Sequence, residues 1–91
     1  MNLTKVLALM NNLILISRIE EVGADIGEPD CKLLNPFLVK QSSFEGSPLT
    51  LEPWLINVSS KDIFMINSDK IITLSDPTPT LLEKYKDLIK E

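Results

Sequence analysis

With 91 residues, one cysteine, no histidine and a net charge of −4, the chain reads as a single domain over 1–91, without an internal disulfide or any histidine-based zinc or Ser-His-Asp chemistry. The acidic balance argues against a broad electrostatic grip on nucleic acid, yet allows a local site where copies of one lysine converge around a ring. A hydrophobic fraction of 44% is high for so small a domain and points to apolar surface that meets another subunit.

No apolar run approaches the length of a membrane helix. The N-terminal run is interrupted by Asn11-Asn12 and lacks a cleavage pattern, so the chain is expected in the cytoplasm. Leu3–Met10 reads as a first strand, against a competing helix suggested by its Leu, Ala and Met. Asn11-Asn12, two residues that tolerate positive φ between apolar runs, favours a hairpin. The second strand, 13–22, places Ile14, Ile16 and Arg18 on one face and Leu13, Leu15, Ser17 and Ile19 on the other. Its first half is expected to be enclosed and its second to emerge from the fold.

Gly23–Asp30 is a loop. Glu20, Glu21, Asp25, Glu28 and Asp30 make an acidic run with no Lys or Arg between them, but not at EF-hand spacing. A solvated loop that protects a sheet edge is the preferred reading, and no metal is expected. The third strand, 32–40, contains Asn35-Pro36, a bend, bulge or edge because proline cannot donate to a ladder. Cys31 lies at its start as a small semi-buried residue with no base to activate it.

After a polar loop, 41–50, the fourth strand covers 51–59. Pro53 marks an edge or a strand start, and Trp54 is expected in packing rather than as a base-stacking platform. The last strand region, 63–75, turns at Asn67-Ser68-Asp69. Thr80-Leu81-Leu82-Glu83 fits a capping box for a helix of about 80–90. Leu81, Leu82, Tyr85, Leu88 and Ile89 form its apolar stripe. Too short to stand alone, it must dock on the sheet or on a neighbour.

This pattern resembles the Sm/LSm family, which includes bacterial Hfq. Asn11-Asn12 stands where that family has Asn-Gly, and Ser17 where it has a bend-permitting glycine. Leu34-Asn35-Pro36-Phe37-Leu38 is similar to its M-N-x-x-L, with the preceding aspartate falling on Cys31 and Asp30 one place off. Ile66-Asn67-Ser68-Asp69-Lys70-Ile71-Ile72-Thr73-Leu74 compares with I-R-G-x-x-I-x-x-I, with Asn-Ser in place of Arg-Gly. The stretches Leu51–Trp54, Ser68–Ile71 and Pro77–Tyr85 also look like Sm-like proteins of tailed phages, cyanophages among them, for which the location would be the host bacterial cytoplasm. The helix departs from the family, which usually places one before the first strand.

The resemblance implies a mainly β fold, a small five-stranded, strongly bent barrel with a C-terminal helix. It also implies a homo-oligomeric ring built by pairing exposed strand edges, the 70–74 edge of one copy against the 51–58 strand of the next. By position it implies nucleic-acid contacts from Asn35, Asn67 and Ser68, with Lys70 near a phosphate, on single-stranded RNA or DNA. Asn and Ser are equally ordinary turn residues. A scaffold ring for a protein partner is the alternative, favoured by the acidic charge and the lost Arg-Gly. No catalytic residue, metal or cofactor is expected, because no constellation meets the geometric needs of catalysis.

Overall fold

The computed structural model describes residues 3–10, 12–40, 49–55 and 63–89. In chain order the elements are β1 (Leu3–Leu9), β2 (Ile14–Glu21), β3 (Cys31–Lys40), β4 (Thr50–Pro53), β5 (Ile63–Ile66), a 3-10 turn (Ser68–Lys70), β6 (Ile71–Ser75) and α1 (Pro79–Leu88). All ladders are antiparallel, in the order β4-β3-β2-β1-β6, with β5 also paired to β3. The chain is thus mainly β with a C-terminal helix.

The first hairpin forms where its asparagines place it. The Leu9 N–H donates to the Leu13 carbonyl at 2.9 Å and the Asn12 N–H to the Leu9 carbonyl at 3.0 Å, with Asn12 at φ 67. Asn11 lies outside the described residues. β1 ends at Leu9 and β2 begins at Ile14, so both strands stop one residue short of the expected turn.

Asn35-Pro36 is a bulge. β2 opposes β3 as Ile16↔Phe37 and then Arg18↔Leu34, so two residues of β3 face the single residue Ser17. Asn35 takes the positive φ of 53 that bends the strand. Ser17 is fully buried, and its hydroxyl shares its one proton between the carbonyls of Arg18 at 2.9 Å and Leu34 at 3.1 Å. At a position where a glycine would allow the bend, a small hydroxylated residue satisfies carbonyls that the broken ladder leaves over.

The bulge also divides the outer edge of β3. Its second half pairs with β4, from Phe37↔Pro53 to Lys40↔Thr50. Its first half pairs with β5, from Cys31↔Ile66 to Leu34↔Ile63. The expected strand 51–59 therefore ends at Pro53, which has no N–H to donate. The Trp54 N–H makes a last bond to the Pro36 carbonyl at 3.0 Å. Leu55 then turns away at φ 59, a left-handed conformation that costs about 1–2 kcal/mol for a residue with a Cβ. The remainder of that expected strand lies outside the described residues.

The expected strand region 63–75 is likewise two strands. The 3-10 turn sends β5 to β3 and β6 to β1. Among the described residues six strands replace the expected five, and the path of ladders is an open sheet rather than a closed barrel, ending in β4 on one side and β6 on the other. β6 carries a bulge at Ile72, between Ala8↔Thr73 and Leu9↔Ile71.

An apolar cluster lies on each face, as strand alternation requires. Leu7, Leu9, Leu15, Ile19 and Leu33 form one, joined by Trp54 and Phe64 in an edge-on contact at 5.7 Å. Trp54 thus packs, as expected. On the other face Ile16 meets Leu81 and Tyr85 of α1, and the Tyr85 ring stands at 89° to Phe37. The helix starts slightly earlier than its capping pattern predicts. Thr78 is the N-cap, its hydroxyl accepting from the Leu81 N–H at 3.3 Å, with Pro79 in the first turn. Proline's fixed φ and missing N–H suit that position, so the helix starts there and the Thr80–Glu83 box is not used. Among the described residues no helix is long and apolar enough to cross a membrane.

Candidate nucleic-acid interface

The four residues singled out by position do not form one site. Asn35 belongs to the bulge. Its side-chain oxygen accepts from Arg18 Nη2 at 2.6 Å. The Tyr85 hydroxyl, on a side chain with no exposed surface, shares its one proton between the carbonyls of Asn35 at 2.9 Å and Leu34 at 3.1 Å and accepts from the Arg18 N–H at 3.2 Å. A β-bulge frees backbone groups, and here α1 supplies one hydroxyl that reaches three of them. Asn35, Arg18 and Tyr85 together fasten the helix to the bend.

Asn67, Ser68 and Lys70 lie at the corner between β5 and β6. The Lys70 N–H donates to the Asn67 carbonyl at 3.0 Å, and the Lys70 carbonyl accepts from the Met10 N–H at 3.1 Å, which ties the corner to the first hairpin. The Lys70 side chain is exposed. Ser68 is already engaged: its N–H donates to Asp30 Oδ1 at 2.7 Å and its hydroxyl to Asp30 Oδ2 at 2.8 Å. Both bonds hold the Asp30 carboxyl below the ordinary carboxylate range, the hydroxyl bond most strongly. The Asn67 side-chain oxygen is buried with no hydrogen-bond partner among the described residues.

Register explains the separation. Asn67 follows Ile66, which pairs with Cys31, whereas Asn35 follows Leu34, which pairs with Ile63. The two asparagines flank opposite ends of one short ladder, five strand steps or roughly 16 Å apart at the rise of a strand.

The loop between β2 and β3 meets the corner. The Val22 N–H donates to the Asp30 carbonyl at 3.0 Å and closes the loop, and the Glu28 N–H donates to the Asp25 carbonyl at 3.0 Å across a turn. Gly27 has φ 89 at the third position of that turn, where positive φ is needed. Between loop and corner lies an open cleft of about 190 Å³, lined by Gly27, Glu28, Asp30, Asn67, Ser68 and Asp69. Its ionisable lining is acidic. Among the described residues no three of His, Cys, Asp or Glu converge in a way that could hold a metal ion.

Position in the sequence missed Asp30, Glu28 and Asp69 as partners of this corner. The one available signal was Asp30, a single place from where the Sm/LSm aspartate would fall. Cys31, next to it, is buried. Burial first, then the negative charges of Asp30 and Glu21, push its thiol up and keep it protonated.

No curated protein matches the chain. A family model described as a family of unknown function, DUF6561, matches residues 1–90. The bent antiparallel sheet described above, with its C-terminal helix and corner cleft, therefore belongs to a member of the DUF6561 family.

Proposed function

We propose that the chain is a ring-forming, Sm-like protein that binds single-stranded nucleic acid, RNA above all, in the cytoplasm and catalyses no reaction. The observation that carries the assembly is the open sheet. It ends in β4 and β6, and β6 leaves Ile72 and Leu74 more than half exposed. An edge strand with unpaired backbone groups and exposed apolar side chains is a template for another strand. Pairing β6 of one copy with β4 of the next is a head-to-tail contact, which closes into a ring when its rotation permits. The added strand pairing would complete the strongly bent Sm-like barrel that a single copy leaves open.

The corner cleft is where a base would enter. Asn67 lines it with a side-chain oxygen that has no partner among the described residues, and Lys70, next in the chain to the lining residue Asp69, would be the phosphate contact. A ring repeats the cleft in every subunit, so weak single contacts add through multivalency. Binding of short U-rich or A-rich RNA to the purified protein, measured on filters, is expected at low salt and to weaken as salt rises. Absence of binding at low salt by the oligomer contradicts the reading.

A second reading has its own observation. Glu28, Asp30 and Asp69 line the cleft with no Lys or Arg among the lining residues, which favours an acidic ring that serves as a scaffold for a protein partner. Partner capture that survives nuclease treatment, without any RNA binding by the purified oligomer, favours the scaffold.

A further inference from the structure

We infer that Asp30 is the positioning residue of the corner cleft, a carboxylate that holds the 3-10 turn against the β2–β3 loop and so fixes the cleft's shape. The inference rests on the proposed nucleic-acid reading for its ligand, though not for its geometry. Asp30 stands immediately before β3, and Ser68 follows β5 by one residue. The two are 38 positions apart in the chain, yet both carboxylate oxygens of Asp30 are taken by Ser68, one by its N–H at 2.7 Å and one by its hydroxyl at 2.8 Å. Charge-assisted bonds of this length are the stronger kind. They join the two segments that form the walls of the cleft.

The clasp has a chemical consequence. Ser68 stands where a phosphate or base contact is expected by position, but its two donors are spent on Asp30. Ser68 acts on a ligand only through the shape it keeps, and direct contacts fall to Asn67 and Lys70. Asp30 therefore has two opposed effects on a polyanion. Its charge repels the ligand, while its hydrogen bonds build the place where the ligand sits. Glu28 and Asp69 line the same cleft and make no such bond among the described residues, so they contribute repulsion.

That opposition supplies the test. Asp30→Ala, Ser68→Ala, Glu28→Gln and Asp69→Asn are compared in fluorescence anisotropy with labelled single-stranded RNA at low salt. Amide exchange of Ser68 is followed in parallel without RNA. The clasp predicts that Asp30→Ala and Ser68→Ala both weaken binding by about tenfold, the scale of one charge-assisted hydrogen bond, although the first removes a negative charge. Glu28→Gln and Asp69→Asn tighten it. The Ser68 amide exchanges faster in Asp30→Ala, while the amides of β1 and β2 keep their protection. Tighter binding by Asp30→Ala, matching Glu28→Gln, overturns the inference, as does a Ser68 amide whose exchange is unchanged. If the wild-type protein binds no RNA, the proposed function fails, and the amide measurement still decides whether the clasp holds the corner.

Discussion

The bend in the middle of β3 and the corner at its start are both polar clusters on one strand, yet they have opposite fates. At the bend, Arg18, Asn35 and Tyr85 hydrogen-bond to one another and to the backbone groups that the bulge sets free, and α1 closes over them. At the corner, Asp30 and Ser68 satisfy each other, but the walls they join stay open to solvent. The bend spends its polar groups on architecture, whereas the corner keeps a concave surface beside a side-chain oxygen that has no partner among the described residues. Residue type does not separate the two, since each contains an asparagine: Asn35 at φ 53 in the bulge, and Asn67 in extended conformation as the N-cap of the 3-10 turn. What separates them is the element packed on top.

Substitutions can break this contrast. The largest effect is expected for Tyr85→Ala, which removes a fully buried ring and the hydroxyl shared among Leu34, Asn35 and Arg18. A loss of about 3–5 kcal/mol is expected in denaturant unfolding, the range of buried aromatic truncations. Tyr85→Phe keeps the ring and leaves buried backbone groups short of a partner, so about 1–3 kcal/mol should be lost. If Tyr85→Phe is neutral, the hydroxyl does not fasten the bend. Asn35→Ala meets the positive φ with a residue poorly suited to it and forfeits the bond from Arg18, for a loss of about 1–2 kcal/mol. Asn35→Gly should recover the backbone part alone.

Smaller effects are expected at the helix start and the corner. Thr78→Ala removes the N-cap and should lower stability by about 1 kcal/mol, whereas Thr80→Ala should change little, because Thr80 does not cap the helix. At the corner the sign follows from Asp30, whose carboxyl is held below the ordinary range in the folded chain. The clasp's contribution is complete above the unfolded carboxylate value and is lost as pH falls through the lowered folded value. Acid unfolding of Ser68→Ala should therefore differ from wild type at neutral pH and converge with it at the acid end. Coincidence of the two curves at every pH would show that the clasp contributes nothing to stability. At Cys31, burial and two nearby carboxylates predict slow alkylation near pH 8, faster once denaturant exposes the thiol.

Local chemistry made part of this architecture legible. Two asparagines, residues that tolerate positive φ, marked the hairpin, a proline in mid-strand marked the bulge, and an isolated tryptophan was expected to pack. Two features were not legible because partners decide them. Whether Asn67 to Asp69 makes a tight hairpin or a corner depends on which strands β5 and β6 pair with, and those partners, Cys31–Leu34 and Val6–Leu9, lie far away in the chain. Asn35 matched a nucleotide-contact position by spacing, but nothing local reveals that Arg18 and Tyr85 engage it. The helix start is a different case. Thr78-Pro79 was readable as a cap followed by proline in the first turn, but the Thr80–Glu83 pattern drew the prediction two positions too late. Asp30 was one place out of register with the family pattern, and a single-position shift suffices to hide a contact made across 38 residues.

In the proposed assembly, other copies of the chain would complete the open sheet. Light scattering of the purified protein during gel filtration, with absorbance at 260 and 280 nm, tests this most directly. A discrete mass several times the 10.2 kDa chain, reduced to the monomer by Leu74→Lys on the β6 edge, is the predicted result, with nucleic-acid absorbance in the oligomer peak. A wild-type protein that elutes as a stable 10.2 kDa monomer at micromolar concentration would contradict it.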